Sequence, residues 1–135
     1  MITWTDYQFP DRTILVVEDT ETSIRFFEAA LRKSDADLLW AKSGEEAIDV
    51  INEKYDSIDV VLLDLNLPGI NGFDVLRHIR NLSTSLPVIV QTAYLFSGEK
   101  STSYSMGAND FISKPIQLNE LLISIAKFLS PELVH

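Results

Sequence analysis

The sequence predicts an α/β domain in which five strands of a mostly parallel sheet alternate with helices that cover both faces of the sheet. The first observation behind this prediction is that short apolar segments, each followed by a helical pattern, recur about 20 to 25 residues apart. The second is that these segments are apolar at consecutive positions, which is typical of strands buried on both faces. The third is that most of them end directly at polar side chains, as strands do at the ligand-binding edge of an open α/β sheet.

Length and composition restrict the class of protein. The 135 residues fit one domain, and no apolar run approaches the roughly 18 residues of a membrane helix, so no membrane partner is expected. A net charge of −9 argues against direct binding to nucleic acid. Because there is no cysteine and there are only two histidines, any metal should be a hard, oxygen-liganded cation. The amino terminus lacks the features of a secretory signal, so we expect a cytoplasmic protein.

The domain is expected to occupy residues 12–130. Residues 1–11 are interpreted as an extension or linker remnant laid on the domain surface, and residues 131–135 as a tail. The aromatic residues of the extension are Trp4, Tyr7 and Phe9.

The first predicted strand runs from Thr13 to Val17 and ends at two adjacent acids, Glu18 and Asp19. Either Thr20 or Thr22 can cap the helix that follows. The apolar face of this helix consists of Ile24, Phe27 and Leu31, with Phe26 and Ala30 at its flanks.

A short second strand, Leu38 to Ala41, is followed by a strong helix-start signal. Ser43 and Glu46 have the spacing of a capping box, in which each side chain accepts a hydrogen bond from the backbone of the other. The second helix should place Ala47, Ile48 and Ile51 inward.

The third strand, Val60 to Leu63, is continuously apolar and delivers Asp64 to its carboxyl end. Taken alone, such an aspartate could equally be a polar residue that caps a strand end or a turn. The third helix should turn Val75, Leu76 and Ile79 inward and Arg77, His78 and Arg80 away from the core.

The fourth predicted strand, Leu86 to Gln91, leads to Thr92, and the fifth, Asp110 to Ser113, leads to Lys114. Between them, a weak and mobile helix rich in Ser and Thr is expected over Ser97–Met106, closed by Gly107. The apolar face of the last helix consists of Leu118, Leu121, Leu122, Ile125 and Leu129.

In a parallel sheet, the polar residues that follow the strands converge on one edge. These residues are Glu18, Asp19, Asp64, Thr92 and Lys114. Crowded carboxylates raise one another's pKa unless cations compensate, and the cations that fit here are Mg²⁺ and the lysine. Oxygen ligands suit Mg²⁺.

The expected Mg²⁺ ligands are Asp19, Asp64 and a backbone carbonyl near Asn66, with Glu18 acting through water. A carboxylate beside Mg²⁺, a lysine and a threonine hydroxyl is equipped to attack a phosphoryl group and form an acyl phosphate.

The chain resembles the receiver domain of two-component response regulators and of hybrid histidine kinases over essentially residues 12–130. The matching segments are Val-Val-Glu-Asp at 16–19, Leu-Leu-Asp-Leu-Asn-Leu-Pro-Gly-Ile-Asn-Gly at 62–72, Thr-Ala at 92–93, Gly-Ala-Asn-Asp-Phe at 107–111 and Lys-Pro at 114–115. The resemblance implies a flavodoxin-like (βα)5 fold, a doubly wound parallel sheet with strand order 2-1-3-4-5, and a cis peptide bond before Pro115.

The resemblance also implies a chemistry for these positions. Asp64 would accept phosphate from the phosphohistidine of a histidine kinase or a histidine phosphotransfer protein, while Glu18 and Asp19 would hold Mg²⁺. Thr92 and Lys114 would contact the phosphoryl group. Such a protein catalyses only its own phosphotransfer and dephosphorylation, and is not otherwise an enzyme unless it is part of a hybrid kinase.

Phe111 falls at the aromatic switch position of the family, so Thr92 would move toward the phosphate and Phe111 would turn inward behind it, changing the surface offered to a downstream protein. Asn66 and Tyr94 occupy positions that border the phosphorylation site and tune dephosphorylation in the family.

Three other functions fit these residues less well. A flavin carrier of the same fold should offer hydroxyls and amides in its first loop, where this chain has Glu18 and Asp19. A phosphatase of the haloacid-dehalogenase type needs a second acid where this chain has Asn66. A degenerate receiver used only for binding would lack some of the residues needed for phosphotransfer, whereas this chain has a suitable residue at each of those positions.

The wider context of the domain has two interpretations. No output domain follows residue 135, which suggests either a free-standing regulator or a receiver segment of a hybrid histidine kinase. The segment from Trp4 to Pro10 is similar to the approach to receivers in such hybrids.

Overall fold

The computed structural model describes residues 7–93 and 98–134. Expectations that concern Trp4, Tyr94, Ser97 and His135 therefore lie outside the described residues. Within the described ranges, no helix has the length and the apolar character needed to cross a membrane.

Five strands and five helices alternate along the described part of the chain. The strands are β1 Thr13–Val17, β2 Asp37–Ala41, β3 Val60–Asp64, β4 Val88–Thr92 and β5 Asp110–Ser113. The helices are α1 Glu21–Leu31, α2 Gly44–Lys54, α3 Gly72–Leu82, α4 Glu99–Ser105 and α5 Leu118–Leu129. Short 3-10 turns occupy Arg32–Ser34, Tyr55–Ser57 and Pro131–Leu133.

The strands form one sheet in the order β2-β1-β3-β4-β5, which confirms the predicted α/β fold and its strand order. The pairings between these strands are parallel, so the carboxyl ends of the strands share one edge. The register places Val17 beside Leu63 and Asp64 beside Gln91. Residues that follow β1 and β3 are therefore brought together although they are far apart in sequence.

Apolar side chains alternate between two cores, one on each face of the sheet. Leu15 and Val17 point to the core that α2 and α3 cover, whereas Ile14 and Val16 point to the core that α1 and α5 cover. Burial of both faces explains why β3 is apolar at every position before its terminal aspartate.

The amino-terminal extension packs more deeply than a surface segment would. Tyr7 and Phe9 are buried in the core under α1 and α5, and the backbone N–H of Phe9 donates to the carbonyl of Ser34 at 2.6 Å. The expectation that both aromatics lie on the domain surface was wrong, because both side chains are part of the apolar core that α1 and α5 cover.

The start of α2 and the end of α4 follow the signals in the sequence, although one hydrogen bond at the start of α2 has a different donor from the one expected. The Ser43 hydroxyl accepts from the Glu46 N–H at 3.1 Å, as in a capping box, but the Glu46 carboxylate accepts from the N–H of Lys42 rather than from that of Ser43. Gly107 follows α4 with φ of 105°, a conformation that favours glycine.

Candidate functional site

Three carboxylates meet where β1 and β3 end. Glu18, Asp19 and Asp64 each offer an oxygen, and these oxygens lie within 4.8 Å of one another. Glu18 and Asp64 are 0% and 3% exposed, whereas Asp19 is exposed to solvent. Two buried acids with a third at the surface form a polar pocket with one open side.

Lys114 brings a positive charge into this pocket from the end of β5. Its ammonium donates to Glu18 Oε2 at 2.8 Å and to Asp64 Oδ2 at 3.3 Å. The peptide bond between Lys114 and Pro115 is cis, as the resemblance implied. The ammonium thus bridges the two buried carboxylates.

Thr20 orients Glu18, a contact that the sequence analysis did not anticipate. Its backbone N–H and its hydroxyl both donate to Glu18 Oε1, at 3.3 and 3.1 Å. Although Thr20 is the N-cap residue of α1, its side chain makes no capping hydrogen bond. The signal in the sequence was that Thr20 follows Glu18 by two positions, but Thr20 was interpreted only as a possible helix cap.

Asn66 contacts two of the residues singled out from the sequence. Its backbone N–H donates to Asp64 Oδ1 at 2.9 Å, and its side-chain amide donates to the hydroxyl of Thr92 at 2.9 Å. Thr92 is itself completely buried, and its carbonyl accepts from the Lys114 N–H at 2.9 Å. A continuous path of hydrogen bonds therefore runs from Asp64 through Asn66 and Thr92 to Lys114.

Burial and neighbouring charges shift the ionisation of the central pair. The net pKa of Asp64 is raised to about 6, with removal from water as the largest cause. The Asn66 N–H lowers this pKa, the charge of Glu18 raises it, and Lys114 lowers it. Burial by itself would lower the pKa of Lys114, but the hydrogen bond to Glu18 and the charge of Asp64 raise it above its usual value. A further cation near Asp64 would therefore favour its ionised form.

The donor atoms of the carboxylate cluster fit a hard divalent cation. All three residues supply carboxylate oxygens, which Mg²⁺ prefers, and the exposed Asp19 leaves room for the waters that Mg²⁺ usually retains. The residues present are thus compatible with the Mg²⁺ expected from the sequence.

Two neighbours of the pocket lie on β4 and β5. Phe111, the expected switch residue, is half-buried against the core under α2 and α3 and pairs in register with Val90. Gln91, which the sequence analysis did not single out, is 2% exposed and lies beside Asp64 in the sheet. Neither atom of its side-chain amide has a hydrogen-bond partner among the described residues.

An open, mainly apolar pocket of about 200 Å³ lies between α1 and the segment that begins at Lys114. Its lining consists of Thr22, Ser23, Phe26, Phe27, Lys114, Pro115 and Ile116. The charged centre therefore has an apolar surface next to it that a partner could cover.

The sequence matches the family model described as response regulator receiver domain over residues 14–126. Among curated proteins, it is 38% identical over 112 residues to the uncharacterized transcriptional regulatory protein YkoG of Bacillus subtilis, covering 83% of this chain and 48% of YkoG. It is 35% identical over 116 residues to the response regulator ArlR of Staphylococcus aureus, covering 86% of this chain and 52% of ArlR. The chain thus spans about half the length of these relatives.

Solved structures show the same similarity. The non-phosphorylated HemR receiver domain from Leptospira biflexa superposes with a TM-score of 0.80 at 34% identity, covering 88% of this chain and 94% of that one. A response regulator receiver domain protein from Clostridium thermocellum superposes with a TM-score of 0.83 at 27% identity, covering 91% and 98%.

Proposed function

This chain belongs to the response regulator receiver domain family, and from that premise we propose that Asp64 accepts a phosphoryl group from a phosphohistidine and thereby switches the surface of the domain. The observation that carries the proposal is the position of the Asp64 carboxylate. It is buried beside the ammonium of Lys114 and lies close to the carboxylates of Glu18 and Asp19. The lysine, together with a Mg²⁺ ion held by these acids, would compensate the negative charge of a transferred phosphoryl group.

The proposed transfer needs no reactant other than the phosphohistidine and Asp64. A carboxylate oxygen of Asp64 attacks phosphorus, the P–N bond of the phosphohistidine breaks, and the nitrogen keeps the bonding electrons and leaves as neutral imidazole if its other ring nitrogen carries a proton. Hydrolysis later reverses the modification, since water attacks phosphorus, releases inorganic phosphate and restores the carboxylate.

Each neighbouring side chain has a role in this proposal. Glu18, Asp19, Asp64 and the backbone carbonyl of Asn66 would hold Mg²⁺, which when bound neutralises charge on the phosphoryl oxygens. Lys114 would leave its present contact with Asp64 Oδ2 for a phosphoryl oxygen. The hydroxyl of Thr92 would donate to another, and Phe111 would turn inward behind it.

The phosphodonor is proposed to be a histidine kinase or a histidine phosphotransfer protein. Its histidine must approach Asp64 from the edge where the strands end, and the apolar pocket beside Lys114 lies at that edge. Exposed apolar surface next to a charged centre suits a partner helix that carries a reactive histidine on an otherwise apolar face. This assignment applies both to a free-standing regulator and to the receiver of a hybrid kinase.

The proposal is tested by incubating the protein with acetyl phosphate and Mg²⁺ and measuring its intact mass. We expect an adduct of one phosphoryl group that requires Mg²⁺, is absent from Asp64→Asn, and is retained by Asp56→Asn, which alters an exposed aspartate in the 3-10 turn after α2. An adduct that persists in Asp64→Asn, or no adduct on the native chain, would contradict the proposal. Turnover of phosphate monoesters would instead favour the phosphatase alternative.

A further inference from the structure

Asn66 joins the proposed phosphate acceptor to the residue that would respond to it. Its N–H donates to Asp64 Oδ1 and its side-chain amide donates to Thr92 Oγ1, each at 2.9 Å. The side chain of Asn66 lies at the exposed rim of the pocket, whereas Thr92 is 0% exposed. One surface residue therefore restrains a buried hydroxyl from outside.

We propose that Asn66 is a positioning residue that holds Thr92 in the resting arrangement, so that residue 66 sets the balance between the resting and the phosphoryl-bound states. This inference rests on the proposed function. Beyond the chemistry at Asp64, it assigns a residue that restrains the movement of Thr92.

The restraint follows from the limited freedom of a threonine hydroxyl. Threonine is β-branched and stiff about χ1, so the amide of Asn66 at 2.9 Å fixes where the Thr92 oxygen lies. To donate to a phosphoryl oxygen on Asp64, the hydroxyl must move and this hydrogen bond must break or be remade. A net hydrogen bond of ordinary strength favours the resting state by roughly 2- to 10-fold.

The second contact of Asn66 gives the restraint a means of release. Before transfer, Asp64 Oδ1 is a carboxylate oxygen, which is a strong acceptor for the Asn66 N–H. In an acyl phosphate the former carboxylate group no longer carries that charge, so the same N–H is held more weakly. Phosphorylation thus weakens the hydrogen bond from the Asn66 N–H at the moment when Thr92 must move.

A double-mutant cycle separates this role from direct contact with the phosphoryl group. The affinity for the phosphoryl mimic beryllofluoride, with Mg²⁺, is measured for the native chain, Asn66→Ala, Thr92→Val and the double variant. In the native background, Asn66→Ala should increase the affinity for beryllofluoride. In the Thr92→Val background the same substitution should have an effect that is smaller by a factor of roughly 2 to 10, because the hydroxyl that Asn66 restrains is already missing. The coupling should persist in a Thr92→Ser background, which retains the hydroxyl and guards against a folding defect of Thr92→Val.

The resting protein provides a spectroscopic readout. In the absence of beryllofluoride, Asn66→Ala should shift the NMR signals of the Thr92 methyl group, because its hydroxyl loses a fixed partner. Equal effects of Asn66→Ala on affinity in all backgrounds would overturn the inference while leaving Asp64 phosphorylation intact. A native chain that binds no beryllofluoride and forms no phosphoryl adduct would overturn the proposed function, and this inference with it.

Discussion

The guanidinium of Arg80 in α3 binds the backbone carbonyl of Gly107 after α4 through two hydrogen bonds, from Nε at 2.9 Å and from Nη2 at 2.6 Å. Its third nitrogen, Nη1, donates to the carbonyl of Leu86 at 2.7 Å and to that of Ser83 at 3.1 Å. One side chain therefore ties the end of α3 to the approach to β4 and to the turn before β5. The helical pattern predicts that Arg80 points away from the apolar core, but it predicts neither these hydrogen bonds nor the half-burial of the side chain.

Replacing Arg80 by methionine should lower the free energy of unfolding by roughly 2 to 4 kcal/mol, because three partly buried carbonyls lose charged donors. Urea denaturation measures the change. Arg77→Met is the matched control, since Arg77 lies on the same helix and its only ion pair within residues 7–93 and 98–134 is an exposed one with Asp74, worth about 1 kcal/mol or less. Equal losses in the two variants would contradict the structural role of Arg80.

In metal-free protein, the stability of the native chain should fall as pH rises from about 4 to about 6. The pKa of Asp64 is raised to about 6 in the folded state, above its unfolded value, so the folded state binds the additional proton in this window and loses that advantage as the proton leaves. Asp64→Asn should remove this slope and be more stable than the native chain at pH 7 by roughly 1 to 3 kcal/mol. Thermal denaturation in the presence of a chelator at several pH values measures both effects.

The exposed Asp56→Asn variant should keep the native pH profile, since its side chain lies away from the pocket. If Asp64→Asn retained the slope, the group responsible for it would not be Asp64.

Mg²⁺ should raise the midpoint of thermal unfolding of the native chain, because under the proposed function the cation would bind the folded carboxylate cluster and not the unfolded chain. Asp19→Asn should reduce this increase strongly, since Asp19 is the exposed member of the cluster through which a hydrated cation can be held. Removal of Mg²⁺ by a chelator should return the native midpoint to its metal-free value. Titration of the midpoint against Mg²⁺ concentration gives the affinities, and equal affinities for the native chain and Asp19→Asn would refute the assignment.

Gln91→Leu should stabilise the protein by roughly 1 to 3 kcal/mol. Both amide atoms of Gln91 are buried without a hydrogen-bond partner among the described residues, and a polar group in that state costs its desolvation energy. Urea denaturation compares this variant with Gln117→Leu, an exposed position where the change should be within about 0.5 kcal/mol. A loss of stability in Gln91→Leu would mean that an ordered water or another group satisfies the amide.

Strand positions were the most predictable part of the fold. β1 and β5 have the predicted bounds, and β3 extends one residue beyond the predicted Val60 to Leu63 to include Asp64. The apolar runs of β1 and β3 that stop at an acid are local patterns, which is why they could be predicted. The fourth strand begins at Val88 rather than at Leu86 and extends to Thr92. Because a parallel sheet brings strand ends together, the meeting of Glu18, Asp64 and Lys114 could also be expected without coordinates.

The contacts that were missed depend on tertiary structure. Arg80 is polar and lies on the outer part of a helical pattern, so only the carbonyls that surround it in the fold explain its burial. Phe9 precedes the first strand, and no periodicity indicates that it belongs to the core under α1 and α5. Likewise, the sequence contains both Asn66 and Thr92 but not the 2.9 Å hydrogen bond between them. The roles assigned to the site residues stay predictions.

The ion pair between Lys114 and Glu18 joins residues that are 96 positions apart. During synthesis on the ribosome, Glu18 and Asp64 emerge long before the lysine that compensates them. A nascent chain without its last strand holds two acids that repel each other at the centre of an incomplete sheet, and their repulsion opposes burial. We therefore expect the pocket to close only after translation has passed β5, so under the proposed function an unfinished chain would not be a competent phosphoryl acceptor.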